Sequence, residues 1–359
     1  MSSPTCRCVV ATKIGDYASS LKISDEHPAR AVVFEDPLPS GTLRVRVLSC
    51  GLAFPDVLIV EGKHITKSEP PFVPTNDVCG RIVALGDVDE DDVDVPEFAV
   101  GDVVFGVAIT GGLSEFALLS AANTYHVPAG VEPQIAAGFE VNYGTTWHGL
   151  VDLAGLSSGE ILLVLGASGG VGMAAIDIGK AMGATVVACA STDEKLNACR
   201  AAGADVLINY SGGAKALKQA LKAADVYGSI DVVYDPVGGT LSEVSLRALA
   251  WGGRFLVVGF ASGGMSPKEG IPRPPLNLVL LNERKVLGVF WGAWKMRDGN
   301  EKNRKNMNTM MDMVSKRTLR PVITKVYDMR DFMQAFNDMV QRRVTGKVCV
   351  AVSAASARY

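Results

Sequence analysis

The residues best suited to chemistry stand in the middle of the chain, as Gly166-Ala167-Ser168-Gly169-Gly170-Val171-Gly172. They follow an apolar run, Ile161–Leu165, that reads as a buried strand, and they open a helix-like segment, Gly170–Met182. At a strand-to-helix turn, glycines let the backbone approach a pyrophosphate. The free N–H groups and the positive end of the helix then hold its charge. A glycine run alone also makes a ligand-free tight turn. A strand before it and a helix after it point to a dinucleotide.

The next strand bears on which dinucleotide. A site for an unphosphorylated ribose carries Asp or Glu about 20 residues past the glycines, to accept from the 2′-hydroxyl. Here strand Thr185–Cys189 ends in Ala190-Ser191-Thr192, with no carboxylate at its tip. Hydroxyls and the nearby Lys195, one helical turn after Ser191, suit a 2′-phosphate instead. The expected cofactor is therefore NADPH. Lys195 as an ordinary solvated helix lysine is the competing reading.

Metal chemistry finds little support. The seven cysteines (Cys6, Cys8, Cys50, Cys79, Cys189, Cys199 and Cys349) are scattered and include no C-x-x-C, which argues against a disulfide framework or a structural zinc. Cys6-x-Cys8 fits alternate positions on a first strand better than a metal fragment. Segment Gly86–Val100 is rich in Asp, yet a calcium-loop register begun at Asp87 puts Asp92 where Gly is needed and Phe98 where the closing Glu belongs. A solvated loop held out by self-repulsion is the expectation.

These residues need a scaffold, and its outline is legible. The chain has 359 residues, 48% of them hydrophobic, which suits two packed domains rather than a disordered chain. Up to about residue 130 it reads as β-rich, with apolar runs such as Ala31–Phe34, Leu43–Leu48, Arg81–Leu85 and Val103–Ile109. From Ile161, short strands alternate with helices, the mark of βαβ units on a parallel sheet: Asp193–Ala202, Val206–Ile208, Asp231–Tyr234, Arg254–Val258 and Lys285–Phe290 continue it. A charged helical stretch, Asn300–Lys316, precedes two β-like runs, Val322–Tyr327 and Lys347–Val352. The net charge of −3 gives no general attraction for nucleic acid or anionic lipid. No apolar run is long enough to span a bilayer. Neither the polar start nor the Ala357-Arg358-Tyr359 ending resembles a targeting signal, so cytoplasm is the expected location.

Taken together, the motifs resemble zeta-crystallin-like quinone oxidoreductases, of the zinc-free branch of the medium-chain dehydrogenase/reductase superfamily. Ile161–Val164 through Gly172 carries the resemblance, with Gly203-Ala204-Asp205, Ile208-Asn209-Tyr210, Asp231–Gly239, Gly252-Gly253-Arg254, Leu287–Gly292 and Thr345-Gly346-Lys347-Val348 in family order. It implies an α/β fold: a Rossmann doubly wound parallel sheet over 131–314, and a β-rich GroES-like domain built from 1–130 and 315–359. It places Ser191, Lys195 and Tyr210 around the 2′-phosphate, and Tyr143 and Thr145 near the nicotinamide. Val237, Gly259, Phe260 and Ala261 line the cofactor, and Gly51–Asp56 forms a loop entering the active site. Where zinc-binding members carry metal ligands, this chain has Ala53, Thr75-Asn76-Asp77 and Val141, and Ala, Asn and Val cannot replace Cys or His on zinc.

The resemblance implies NADPH-dependent hydride transfer to a quinone or an α,β-unsaturated carbonyl, in a homodimer paired through Lys285–Phe290. Members of this type usually have Asn at Ala53 and Tyr at His64, so the substrate half departs from the pattern. His64 either positions or protonates substrate or is a loop residue, and Asp56 is either a site group or a helix N-cap. An enoyl-thioester reductase and a non-catalytic nucleotide-binding protein, of the crystallin-like or RNA-binding kind, are the alternatives. The acidic balance counts against RNA.

Overall fold

The computed structural model describes residues 6–87, 96–263 and 271–352, so most of the acidic stretch after Asp87 lies outside the described residues. In chain order the strands are β1 (Cys8–Ala11), β2 (Leu21–Ser24), β3 (Thr42–Leu52), β4 (Asp77–Leu85), β5 (Val103–Ala108), β6 (Phe116–His126) and β7 (Ile161–Val164). There follow β8 (Thr185–Ala190), β9 (Val206–Asn209), β10 (Ile230–Asp235), β11 (Leu249–Val257), β12 (Lys285–Gly288), β13 (Ile323–Asp328) and β14 (Lys347–Ala351). The chain divides into two compact units, the first made of Met1–Val141, Asn300–Ser315 and Ile323–Tyr359, the second of Asn142–Gly299 and Lys316–Val322.

The first unit is the GroES-like β domain. Its main sheet runs β13-β14-β3-β4-β5-β6, and β6 returns antiparallel to β3 so that Arg46 faces Phe116 and Thr42 faces Ser120. Closure of this kind removes two exposed edges. Strand β3 alternates at first, with Leu43, Val45 and Val47 turned into a core shared with Ile82, Val104 and Leu119. The run Ala31–Phe34, expected as a strand, is instead helical over Arg30–Val33, with only Val33 buried. Four apolar residues carry no measurable period, and local sequence could not separate the two conformations.

Helix Asn300–Ser315 packs in this unit. It buries Met307, Met310, Met311 and Val314, while Asn303 Nδ2 donates to Tyr125 Oη at 2.9 Å and Arg304 Nη2 to the Ala122 carbonyl at 2.7 Å. Sequence adjacency groups it with Lys285–Gly288; side-chain contacts group it with β6.

The second unit is a Rossmann-like parallel sheet in the order β12-β11-β10-β7-β8-β9. Strand β7 is covered on both faces, which is why it reads as an unbroken apolar run: Leu162, Leu163 and Val164 are fully buried. Crossovers on either side of β7 reverse direction in space, and this switch leaves a crevice at the carboxyl ends of the central strands. Among the described residues no helix is long and apolar enough to cross a membrane.

Candidate functional site

In the second unit the glycine turn joins β7 to the helix Gly170–Ala181. Gly166 sits at φ +56°, a left-handed conformation that favours glycine. A Cβ on Gly172 would stand 2.5 Å from the Gly166 carbonyl oxygen and 2.6 Å from that of Ala167, so only glycine lets the helix start this close to the turn. Ala167 N–H donates to the Cys189 carbonyl of β8 at 3.0 Å, and Gly169 N–H to Gly166 at 3.0 Å. Helix geometry leaves the N–H groups of Gly170, Val171 and Gly172 without intrahelical acceptors. Gly169 caps the helix without a side-chain hydrogen bond, and Ser168 is buried beside it. This turn therefore has the shape and the donors for a diphosphate.

Strand β8 ends one residue before Ser191. Thr192, not Ser191, caps the next helix, accepting from Lys195 N–H at 3.3 Å. Ser191 and Lys195 are half-buried. Tyr210 follows β9, its N–H donating to the Ala190 carbonyl at 3.0 Å, which brings Tyr210 to the β8 tip. The nearest carboxylate in sequence, Asp193, accepts from Asn209 Nδ2 at 2.8 Å.

At the end of β10, buried Asp235 organises the neighbouring loop. Its Oδ1 accepts from Val237 and Gly238 N–H, each at 2.8 Å, and its Oδ2 from Ser242 Oγ at 2.5 Å. Burial raises its pKa, against the pull of these donors. The same region ties down the end of β11: Gly259 N–H reaches the Asp235 carbonyl, Ala261 N–H that of Pro236, and Phe260 accepts from Gly263. The structure thus brings the glycine turn, Val237 and Gly259–Ala261 to the carboxyl ends of adjacent strands.

Tyr143 and Thr145 lie on helix Glu140–Trp147, on different faces. Tyr143 is buried and donates to Asp177 Oδ2 at 2.6 Å, and Asp177 also accepts from Arg320 N–H at 2.7 Å. Burial and the Asp177 charge push the Tyr143 pKa well up, so its hydroxyl is a poor acid. Thr145 is half-buried. On Tyr143's side, Thr146 Oγ1 bonds the Tyr234 hydroxyl at 3.0 Å and the Val171 carbonyl at 3.3 Å, anchoring this helix to the glycine turn.

In the first unit, Asp56 takes the third position of helix Phe54–Val60 rather than its N-cap, which is Ala53. Its Oδ2 accepts from Ala53 N–H at 2.7 Å, the carboxylate half of a capping box. Burial raises its pKa to about 7; the Ala53 N–H and Lys347 pull it down, and Asp77 pushes it up. Lys347 Nζ pairs with Asp77 Oδ2 at 3.0 Å, both side chains almost wholly buried. Burial opposes the ammonium charge, yet Asp77 more than offsets it and the Lys347 pKa ends up raised. Sequence reasoning quoted Lys347 and Asp77 only as motif members and missed that they meet.

His64 lies in the turn after that helix, half-buried, with Nδ1 accepting from Thr66 N–H at 3.1 Å. Its pKa is lowered, chiefly by burial. The lone pair on Nδ1 leaves the proton on Nε2, so near neutrality His64 offers an N–H rather than an imidazolium.

The positions of metal ligands in zinc-binding relatives hold no metal donor set here: Ala53 and Val141 have none, and Asn76 is neither thiolate nor imidazole. Among the described residues no three His, Cys, Asp or Glu side chains group so as to hold a metal ion, and the described cysteines are buried free thiols. Zinc does not fit these residues.

Residues 39–129 match the alcohol dehydrogenase GroES-like domain family and residues 170–316 the zinc-binding dehydrogenase family. The chain is 31% identical over 328 residues to quinone oxidoreductase-like protein 2 of Bos taurus, covering 90% of both. It is 30% identical over 316 residues to the quinone oxidoreductase of Sus scrofa, covering 87% of this chain and 90% of that one. Among solved structures, the quinone oxidoreductase of Thermus thermophilus, described with its NADPH complex, superposes with a TM-score of 0.77 at 27% identity, covering 96% of this chain and 100% of that one.

Proposed function

From the premise that the chain belongs to the quinone oxidoreductase-like proteins of the medium-chain dehydrogenase/reductase superfamily, we propose that it reduces quinones or α,β-unsaturated carbonyls with NADPH and without metal. The observation that carries the cofactor half is the glycine turn, with its unspent N–H donors beside a β8 tip furnished by Ser191, Lys195 and Tyr210. NADPH supplies the hydride. Ala167 to Gly172 bind the diphosphate; Ser191, Lys195 and Tyr210 hold the 2′-phosphate; Thr145, Val237 and Gly259–Ala261 flank the rest. Tyr143, spent on Asp177, positions its helix rather than donating a proton.

A substrate at Ala53, Asn76 and Val141 meets no Lewis acid made by these side chains. It must accept hydride unaided, as a conjugated carbonyl does, with hydrogen bonding and orientation as the protein's contribution. His64 Nε2–H would donate to the substrate oxygen, and Asp56 would shape the loop through its cap on Ala53. The parallel sheet ends at β12, whose Val286, with Phe290 just beyond it and Leu276 and Leu280 before it, is exposed. An apolar edge of this kind calls for a cover, and pairing with a second copy supplies one. We place the protein in the cytoplasm as such a homodimer.

NADPH depletion with a panel of 1,4-benzoquinones and enones tests this reading. Turnover that survives a chelator supports it. Binding of NADPH without turnover of any acceptor favours a non-catalytic role, and activity that requires stoichiometric zinc refutes the metal-free chemistry.

A further inference from the structure

Asn142 stands at the start of the second unit, on the helix whose Tyr143 and Thr146 grip the cofactor turn and its helix. Its side chain is among the buried polar groups, 7% exposed. The carboxamide fills the space beside Gly170, the first residue of the diphosphate-facing helix. A Cβ on Gly170 would stand 2.6 Å from Asn142 Nδ2 and 3.0 Å from both Cγ and Oδ1. A Cβ at Gly170 would displace the Asn142 carboxamide, whereas at Gly172 it would meet the turn backbone.

The neighbours of Asn142 on this face are satisfied: Tyr143 by Asp177, Thr146 by Tyr234 and the Asn142 carbonyl. The side chain of Asn142, in a residue 7% exposed, makes no hydrogen bond to the described residues, and its polar atoms are not sealed from solvent. An amide carries two donors and an acceptor, and these are available to a ligand. Here it borders Gly170, the first of the residues whose N–H groups have no intrahelical acceptor. Donors of two elements thus stand beside Gly170, and an anion with several oxygens is a ligand that both can share.

We propose that Asn142 is a cofactor-binding residue whose Nδ2 donates to the diphosphate of the dinucleotide seated on the Gly170–Gly172 N–H groups. This rests on the reading that the chain binds NADPH. It adds a side-chain contact to a site otherwise made of backbone, and it assigns Gly170 the task of admitting that contact.

Calorimetric titration of the full chain with NADPH, NADH and adenosine 2′-monophosphate, which has no diphosphate, tests the assignment. Asn142→Ala should weaken NADPH and NADH alike by about 10-fold, the loss of one hydrogen bond to a charged group. Asn142→Asp sets a carboxylate against the diphosphate and should weaken both by about 100-fold or more. Affinity for adenosine 2′-monophosphate should stay within about twofold in both variants, which also reports an intact fold. Unchanged dinucleotide affinity in both variants would overturn the proposal, as would equal weakening of all three ligands. Failure of the unmodified chain to bind NADPH would overturn the dinucleotide reading, and Asn142's role with it.

Discussion

Asp56→Asn isolates a strongly perturbed carboxyl of the first unit. The amide keeps the shape and the acceptor that Ala53 N–H uses, and removes only the titration. In the folded protein burial lifts the Asp56 pKa from 3.8 to about 7. A folded pKa above the unfolded one means that the native state binds the extra proton. The resulting stability is full in acid and is lost as pH rises through about 7. At roughly 1.4 kcal/mol per pKa unit, the wild type should lose roughly 3 kcal/mol relative to the variant between about pH 5 and pH 8.5. Urea unfolding of both proteins across that range, followed by circular dichroism and tryptophan fluorescence, measures the difference directly. Groups common to both proteins cancel in the comparison. Parallel stability curves would refute the reasoning, because they would mean that Asp56 ionises in the native state as readily as in the unfolded chain. A wild type that gains stability with pH relative to the variant would reverse its sign.

Lys195→Ala should cost about 1.5–3 kcal/mol in NADPH binding, the worth of a charge-assisted phosphate contact, and leave NADH binding almost unchanged; tighter binding of NADH than NADPH by the unmodified protein would sink the assignment. His64→Phe should lower kcat with enones by up to ~10²-fold while NADPH affinity stays put. Because burial lowers the His64 pKa below 6.5, any limb of the pH–rate profile due to it lies on the acid side and should vanish in the variant; an unchanged kcat and profile would return His64 to the loop. Light scattering at micromolar concentration should give twice 37.9 kDa, and a Val286→Lys change on the β12 edge should shift the mass toward a single chain.

Much of the second unit is legible in the chain, because its signals are local. The run Ile161–Leu165 is apolar throughout since β7 is buried on both faces, and the glycines after it are forced by distances within a few residues, such as Gly172 against Gly166. Ser191, Lys195 and Tyr210 sit at strand ends whose order follows from βαβ alternation. Local signals failed where a run was too short to hold a period, as at Ala31–Phe34. There the chain forms a single helical turn that buries Val33.

What tertiary structure alone decided is how distant polar groups are spent. The family resemblance implies Tyr143 near the nicotinamide; only the fold brings it to Asp177, which accepts its hydrogen bond. The sequence shows Asp56 as either a site group or a helix N-cap; the fold puts it instead at the third position of its helix, accepting from the N–H of the N-cap Ala53, and burial raises its pKa. Lys347 and Asp77 stand 270 positions apart and meet inside the first unit. Asn142 and Gly170 press together without any motif that joins them. A pattern of period two or 3.6 records which way a side chain faces its own element. Hydrogen bonds and desolvation depend on which foreign element arrives there, and that is fixed only when the units close around their cores.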